Sequence, residues 1–248
     1  MEEFSFFITA CILNEKQNFI LNECIKNIRK NFANINYPIY IIDDIKDNET
    51  NYINISSEYK QNIHILKSEF KQAGEPLFLY YYHKLRPSKK AIYVHDTFLI
   101  TKPIKKDILE NITNIKFLLE FNSDIHLKEQ YDFLNKLNKK DELIKLSKSF
   151  EWVGCFGGCC IITIDYLDHL QNKYNILNII DSFKTRQDRY SYEIILGIIV
   201  CHDLNTMTNL SIYGDFEENY IKYNYAHVNY EHYLNNGNLP FYKIHFDR

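Results

Sequence analysis

Four short and almost wholly apolar runs, residues 4–13, 38–45, 62–66 and 91–100, alternate with stretches of helical periodicity, and this alternation limits the possible folds more than any other feature. Between the first two runs, residues 17–32 place Phe19, Ile20, Cys24 and Ile28 at helical spacing. After Pro76 a second helical segment extends to Arg86. Strands with little polar alternation are buried on both faces, and a succession of such strands separated by helices builds a mostly parallel sheet with helices on each side. The predicted fold class is therefore α/β, a three-layer sandwich around a central, mostly parallel sheet.

The second half reads differently. Residues 117–121 form a further predicted strand, and residues 127–149 read as one long charged helix with Leu127, Tyr131, Leu134, Leu137, Leu143 and Leu146 on its apolar side. The segment EWVGCFGGCCIITI follows, and its Gly154, Gly157 and Gly158 are three of only 7 glycines in 248 residues. Such clustering marks a place where backbone conformation or close approach matters. Residues 181–200 pass from a polar start into an apolar helix, and residues 211–215 read as a short strand with a turn. With neither repeat nor flexible linker in the sequence, a single domain is expected over 1–248, of which 1–101 is the ligand-binding half and 102–248 the half that completes the site.

Charge narrows the partners. The chain has 29 Lys+Arg against 32 Asp+Glu, a formal net charge of −3, and no basic stripe of the kind that neutralises nucleic-acid phosphates. The N-terminal MEEFSFFITACIL carries two acids where an export signal has a basic region, and the longest later apolar stretch, residues 194–201, is far short of the roughly 20 residues of a membrane span. The six cysteines show no zinc spacing and read as buried thiols of a reducing compartment. A cytoplasmic protein without a membrane span and without nucleic-acid partners is the expectation.

In an open parallel sheet, ligands bind beyond the carboxyl ends of the strands. Asn14 and Glu15 follow the first predicted strand, Asp43 and Asp44 the second, and His95 and Asp96 the fourth. Each acid alone reads as a helix cap or a solvated turn; their joint placement at one sheet edge favours a site. Carboxylates there suit a hard divalent cation and, through it, a phosphate. Neither GxGxxG nor GxxxxGK[ST] occurs, which weighs against a dinucleotide cofactor and against P-loop hydrolysis.

These segments resemble, in order, those of a family 2 type glycosyltransferase of the GT-A fold, whose sandwich is Rossmann-like. FITACILNEKQNFILNECIKNIRKNFANINYPIYIIDDIKDNET is similar to the opening strand, helix and paired aspartates of such enzymes, AIYVHDTFLI to their metal-binding DxD strand, GCFGG to their acceptor loop, and DRYSYEIIL to the helix that presents a catalytic base. The resemblance implies transfer of a hexose from a nucleotide sugar, a UDP-sugar by preference, to a glycan, protein or lipid-linked acceptor hydroxyl, with inversion and with Mn2+ or Mg2+ as cofactor. By position, Asp43 and Asp44 would contact uracil and ribose, with Ala10, Ile12 and Asn14 lining the base, while His95 and Asp96 would face the diphosphate. Asp96 would bind the cation, helped by a C-terminal histidine from among His227, His232 and His245, with His227 and His245 preferred. The first acid of the DxD is replaced by Val94, a departure from the family pattern. Glu193 is the implied base and Asp188 its alternate. Gly157 and Gly158 would admit the acceptor, and Trp152 would stack on a sugar face or, as the alternative, fill the core. Two other classes stay open, a nucleotidyltransferase of similar layout and a catalytically inactive carbohydrate-binding or scaffold protein.

Overall fold

A computed structural model describes residues 2–32, 36–45, 52–122, 128–223 and 239–244. The first half runs through strand β1 (Glu2–Ala10), helix α1 (Glu15–Asn31), β2 (Ile39–Asp43), β3 (Ile63–Lys67), α2 (Leu77–Leu85), β4 (Ser88–His95) and β5 (Phe98–Ile100). The second continues with α3 (Lys106–Asn111), β6 (Ile115–Phe117), β7 (Glu120–Phe121), α4 (Lys128–Leu134), α5 (Lys140–Ser149), β8 (Gly154–Cys155), β9 (Cys160–Thr163), α6 (Ile164–Tyr174), α7 (Arg186–Leu204), α8 (Phe216–Tyr223) and β10 (Phe241–Lys243).

The main sheet has six strands in the order β3-β2-β1-β4-β9-β6. The four strands read from the apolar runs pair in parallel, and only β9 runs against its neighbours. Side chains of successive strand residues leave on opposite faces, which assigns the core to two layers. Phe6, Ile8, Ile92 and Val94 pack with Ile20, Leu21, Cys24, Ile25 and Ile28 of α1 on one face. Phe7, Ala91 and Tyr93 pack with α2, α6 and α7 on the other. This is the three-layer α/β sandwich that the alternation implies.

Three segments differ from the sequence reading. The predicted strand over 117–121 is two short strands, β6 and β7, in different sheets. The long helix predicted over 127–149 is broken between α4 and α5, where the Asn138 amide donates to Tyr174 O at 3.0 Å and Lys139 adopts a left-handed conformation at φ 62°. A tertiary partner for the backbone there outweighs helical periodicity. The strand predicted over 211–215 survives only as isolated bridges, Ser211 to Phe117 and Asp215 to Glu120. Among the described residues no helix is long and apolar enough to cross a membrane. The six cysteines form no disulfide, and all but Cys11 are buried.

Candidate active site

Parallel register brings the predicted acids to one edge. Ala10 lies opposite Asp43, and Thr9 opposite His95, so β1, β2 and β4 end level with one another. The ladder extends one residue further, because the Asp44 amide donates to Ala10 O at 2.9 Å and the Asp96 amide to Thr9 O at 3.4 Å. Two cavities open at this edge. The smaller, about 200 Å³, is lined by Thr9, Ala10, Cys11, Leu13, Asp44, Gln72 and Gly74. The larger, about 460 Å³, is lined by Thr97, Phe156, Gly157, Arg186, Tyr190, Glu193, Lys243 and Ile244. Glu75, His95, Asp96 and Arg189 line both, so the two are continuous.

Asp44 organises the small cavity. One carboxylate oxygen accepts the Gln72 amide and the other the Gly74 amide, both at 2.8 Å, which fixes the turn that delivers Glu75 to the head of α2. Burial pushes the Asp44 carboxyl up to about 6, against the two amides and Arg189, which favour its charged form. Glu75 is itself buried, and burial raises its carboxyl while Arg189 and Lys243 oppose the shift. Its Oε1 lies 3.4 Å from His95 Nε2, and its Oε2 lies 3.5 Å from Arg189 Nε.

Helix α7 supplies the wall of the large cavity. Thr185 caps it by accepting the Asp188 amide at 3.1 Å, while the Asp188 carboxylate accepts the Lys184 and Thr185 amides in return. A turn further on, the apolar residues Ile194 to Val200 are buried and hold the helix against the sheet. Gly197 allows that contact, since a Cβ there would lie 2.0 Å from Val153 O. Glu193 consequently faces the cavity beside the turn that carries Gly157. Its carboxyl is pushed up to about 8 by burial and by the nearby Glu75 charge, with the Gly157 amide and Lys243 acting in the opposite sense.

Gly157 joins the two walls. Its amide donates to Glu193, and its carbonyl accepts from His95 Nε2 at 2.8 Å. It sits at φ +62°, where a Cβ would come within 3.2 Å of the His95 ring, so both the conformation and the contact call for glycine. The opposite wall is built at the C-terminal end of β4. Strand β10 pairs antiparallel with β5, setting Lys243 opposite Phe98, and Lys243 Nζ donates to Thr97 Oγ1 at 2.9 Å.

The sequence candidates therefore separate. Ala10, Asp44, His95, Asp96, Gly157 and Glu193 line the cavities together. Gly158, at φ +63°, packs over Tyr192 and lines neither. Ile12 is fully buried in the α1 layer. Asn14 caps α1, its Oδ1 accepting the Gln17 amide at 2.9 Å. The Asp43 carboxylate accepts the Ile45 amide at 3.3 Å and lines neither cavity. Two expectations need correction. Trp152 is 2% exposed, and its indole N–H donates to Ser147 O at 3.1 Å within the core, so no face is open to a sugar. Asp188 is the carboxylate of the α7 capping box and lies outside both cavities. His227, His232 and His245 fall outside the described residues.

The expected cation can be tested against these side chains. Among the described residues, no three of His, Cys, Asp or Glu converge to hold a metal ion. Val94 is fully buried in the sheet, and His95 Nε2 must carry a proton to donate to the Gly157 carbonyl, which leaves a lone pair only on Nδ1 of that ring. Asp96 is the one carboxylate of the expected motif. The described donor set does not fit a cation held by the protein.

Glu75 and Lys243, which line the larger cavity, have no role in the sequence reading. Glu75 lies in a Gly-Glu-Pro turn before a helix, the only local mark that it has.

No protein-family model matches the chain, and no curated protein matches its sequence. Solved structures do resemble it. Core-mannan synthase A (CmsA/Ktr4) from Aspergillus fumigatus in a Mn/GDP form is 12% identical with a TM-score of 0.48, over 79% of this chain and 70% of that one. Residues 1–349 of S. aureus TarS in complex with UDP are 15% identical with a TM-score of 0.47, over 86% and 60%. The mannosyltransferase Ktr4p from S. cerevisiae is 8% identical with a TM-score of 0.45, over 79% and 66%. The chain thus spans 60–70% of the length of these proteins.

Proposed function

We propose that this chain is a single-domain glycosyltransferase that moves a hexose from a nucleoside-diphosphate sugar, a UDP-sugar by preference, to an acceptor hydroxyl with inversion at the anomeric carbon. The observation that carries the reading is the larger cavity, where the carboxyl of Glu193 shares one space with Asp96, Thr97 and Lys243. A group suited to take a proton thus stands across from Thr97 and Lys243, which are suited to meet a phosphate.

The nucleoside would enter the smaller cavity over Thr9, Ala10 and Cys11, with Asp44 holding the turn beneath it. The diphosphate would then rest at the end of β4, and the acceptor would approach past Phe156 and Tyr190. In the transfer step a lone pair of the acceptor oxygen forms a new bond to the anomeric carbon. The bond from that carbon to the β-phosphate oxygen breaks, and its electron pair leaves with the nucleoside diphosphate. The acceptor proton passes to the Glu193 carboxylate. A base is most effective when its pKa is close to the working pH, and a carboxyl raised to about 8 by burial and by the Glu75 charge supports Glu193 in that role. His95 acts by position, tying the Gly157 turn to the strand end. A divalent cation, where bound, would neutralise diphosphate charge; no step above depends on one.

The test is release of UDP or GDP from a panel of nucleotide hexoses. Turnover of at least one donor is expected in the wild type, and Glu193→Gln should keep nucleotide binding while losing transfer. A wild type that neither turns over a donor nor gains thermal stability from UDP or GDP contradicts the proposal.

A further inference from the structure

We propose that Lys243 takes the place of a protein-held divalent cation in this site, so that the chain binds the diphosphate of its donor without metal. The inference rests on the nucleotide-sugar reading and concerns how the diphosphate is held.

Three observations converge. The first is the donor set, in which Val94 occupies the first acid position and His95 Nε2 is committed to the Gly157 carbonyl. A hard cation needs several ligands, and among the described residues no three His, Cys, Asp or Glu side chains converge to supply them.

The second is where Lys243 comes from. The Ile244 amide donates to Thr97 O at 2.9 Å, and Lys243 itself pairs with Phe98, so the backbone is fixed on both sides of the side chain. Strand β10 therefore delivers the ammonium to the residue next to Asp96, at the strand end where the expected motif would hold its metal. An ammonium has three donors, and Thr97 Oγ1 takes one of them at 2.9 Å, which leaves donors for phosphate oxygens.

The third is the charge of the cavity. Lys243 shares it with Arg186 and Arg189, facing Glu75, Asp96 and Glu193. Its charge favours the ionised forms of both Glu75 and Glu193, so it lies within electrostatic reach of each wall. When the glycosidic bond breaks, the departing nucleoside diphosphate carries away the electron pair and one more negative charge. A fixed ammonium meets that charge with no ion to recruit.

The experiment is calorimetric titration of UDP and GDP into the full chain, in EDTA and in millimolar Mn2+ or Mg2+, for the wild type, Lys243→Gln and Lys243→Arg. Gln removes the charge and keeps an N–H donor on a side chain one atom shorter. Wild-type affinity for the better nucleotide should differ by less than about threefold between the two buffers. Lys243→Gln should weaken binding in EDTA by roughly 10-fold or more, the usual worth of a charged hydrogen bond, and Arg should restore most of the loss. Binding that appears only with Mn2+ or Mg2+ overturns the inference and leaves the transferase reading standing. Lys243→Gln binding in EDTA as tightly as the wild type overturns it as well. Absence of binding by either nucleotide in either buffer overturns both. If Lys243→Gln fails to fold, the wild-type comparison between buffers and the Lys243→Arg affinity still decide.

Discussion

The two cavities at the carboxyl edge of the sheet each hold a carboxylate, Asp44 buried and Glu193 half-buried, and the neighbours give the two acids opposite employment. Asp44 accepts two backbone amides with Arg189 nearby, and its carboxyl rises only to about 6. Glu193 has the Gly157 amide and sits near the charge of Glu75, and its carboxyl rises to about 8. Burial acts on both in the same direction. The Glu75 charge also raises both, and at Asp44 a second backbone amide and Arg189 oppose the rise, so that Asp44 is an ionised clamp for a turn near neutrality while Glu193 keeps a proton that can be lost and regained.

Exchanging each acid for its amide breaks the comparison in different ways. Glu193→Gln should lower kcat on the order of 10³-fold, the usual range for removing a general base, with nucleotide affinity unchanged. The same variant should be more stable than the wild type at alkaline pH. In the wild type, the folded state holds the Glu193 proton up to about 8 while the unfolded chain releases it near 4.5, so stability falls as pH rises between these values. Melting curves from pH 5 to 9 should therefore show a gap that widens with pH up to about 8 and then levels off, and a gap constant throughout would show that the Glu193 carboxyl is not raised. Asp44→Asn should act on stability first. An amide can accept only one of the two backbone donors, and its own N–H₂ then opposes the other, a loss of about 2–3 kcal/mol. For a chain of this size that is roughly 5–10 °C in Tm, visible by calorimetry, and an unchanged Tm would contradict the clamp.

The smallest expected effect concerns a residue outside both cavities. Trp152→Phe should cost about 1–2 kcal/mol through the lost bond to Ser147 O, with the KM for acceptor unchanged. A selective rise in acceptor KM would return Trp152 to the site.

Much of this layout is legible in the sequence, for local reasons. Apolar runs that end in Asp43-Asp44 and His95-Asp96 mark strand ends, and parallel register then aligns them without further information. Glu193 is legible because it opens an apolar helical run. Glu75 and Lys243 are not. Glu75 reaches the site only because Asp44, thirty residues earlier, binds the amide of Gly74. Lys243 arrives on a three-residue strand whose partner lies more than 140 residues away, too short for any periodicity to announce it. Trp152 misleads for the opposite reason, since an indole beside a glycine cluster reads alike whether it fills a core or faces a ligand.

The central claim is that Glu193 is the base, and the pH dependence of kcat/KM tests it most directly, because that quantity follows the ionisation of the free enzyme. The account predicts a rate that rises with pH through about 8 as a single proton leaves Glu193, with the rise absent from residual turnover of Glu193→Gln. A profile already level from pH 6, or an identical rise in the Glu193→Gln variant, would contradict it.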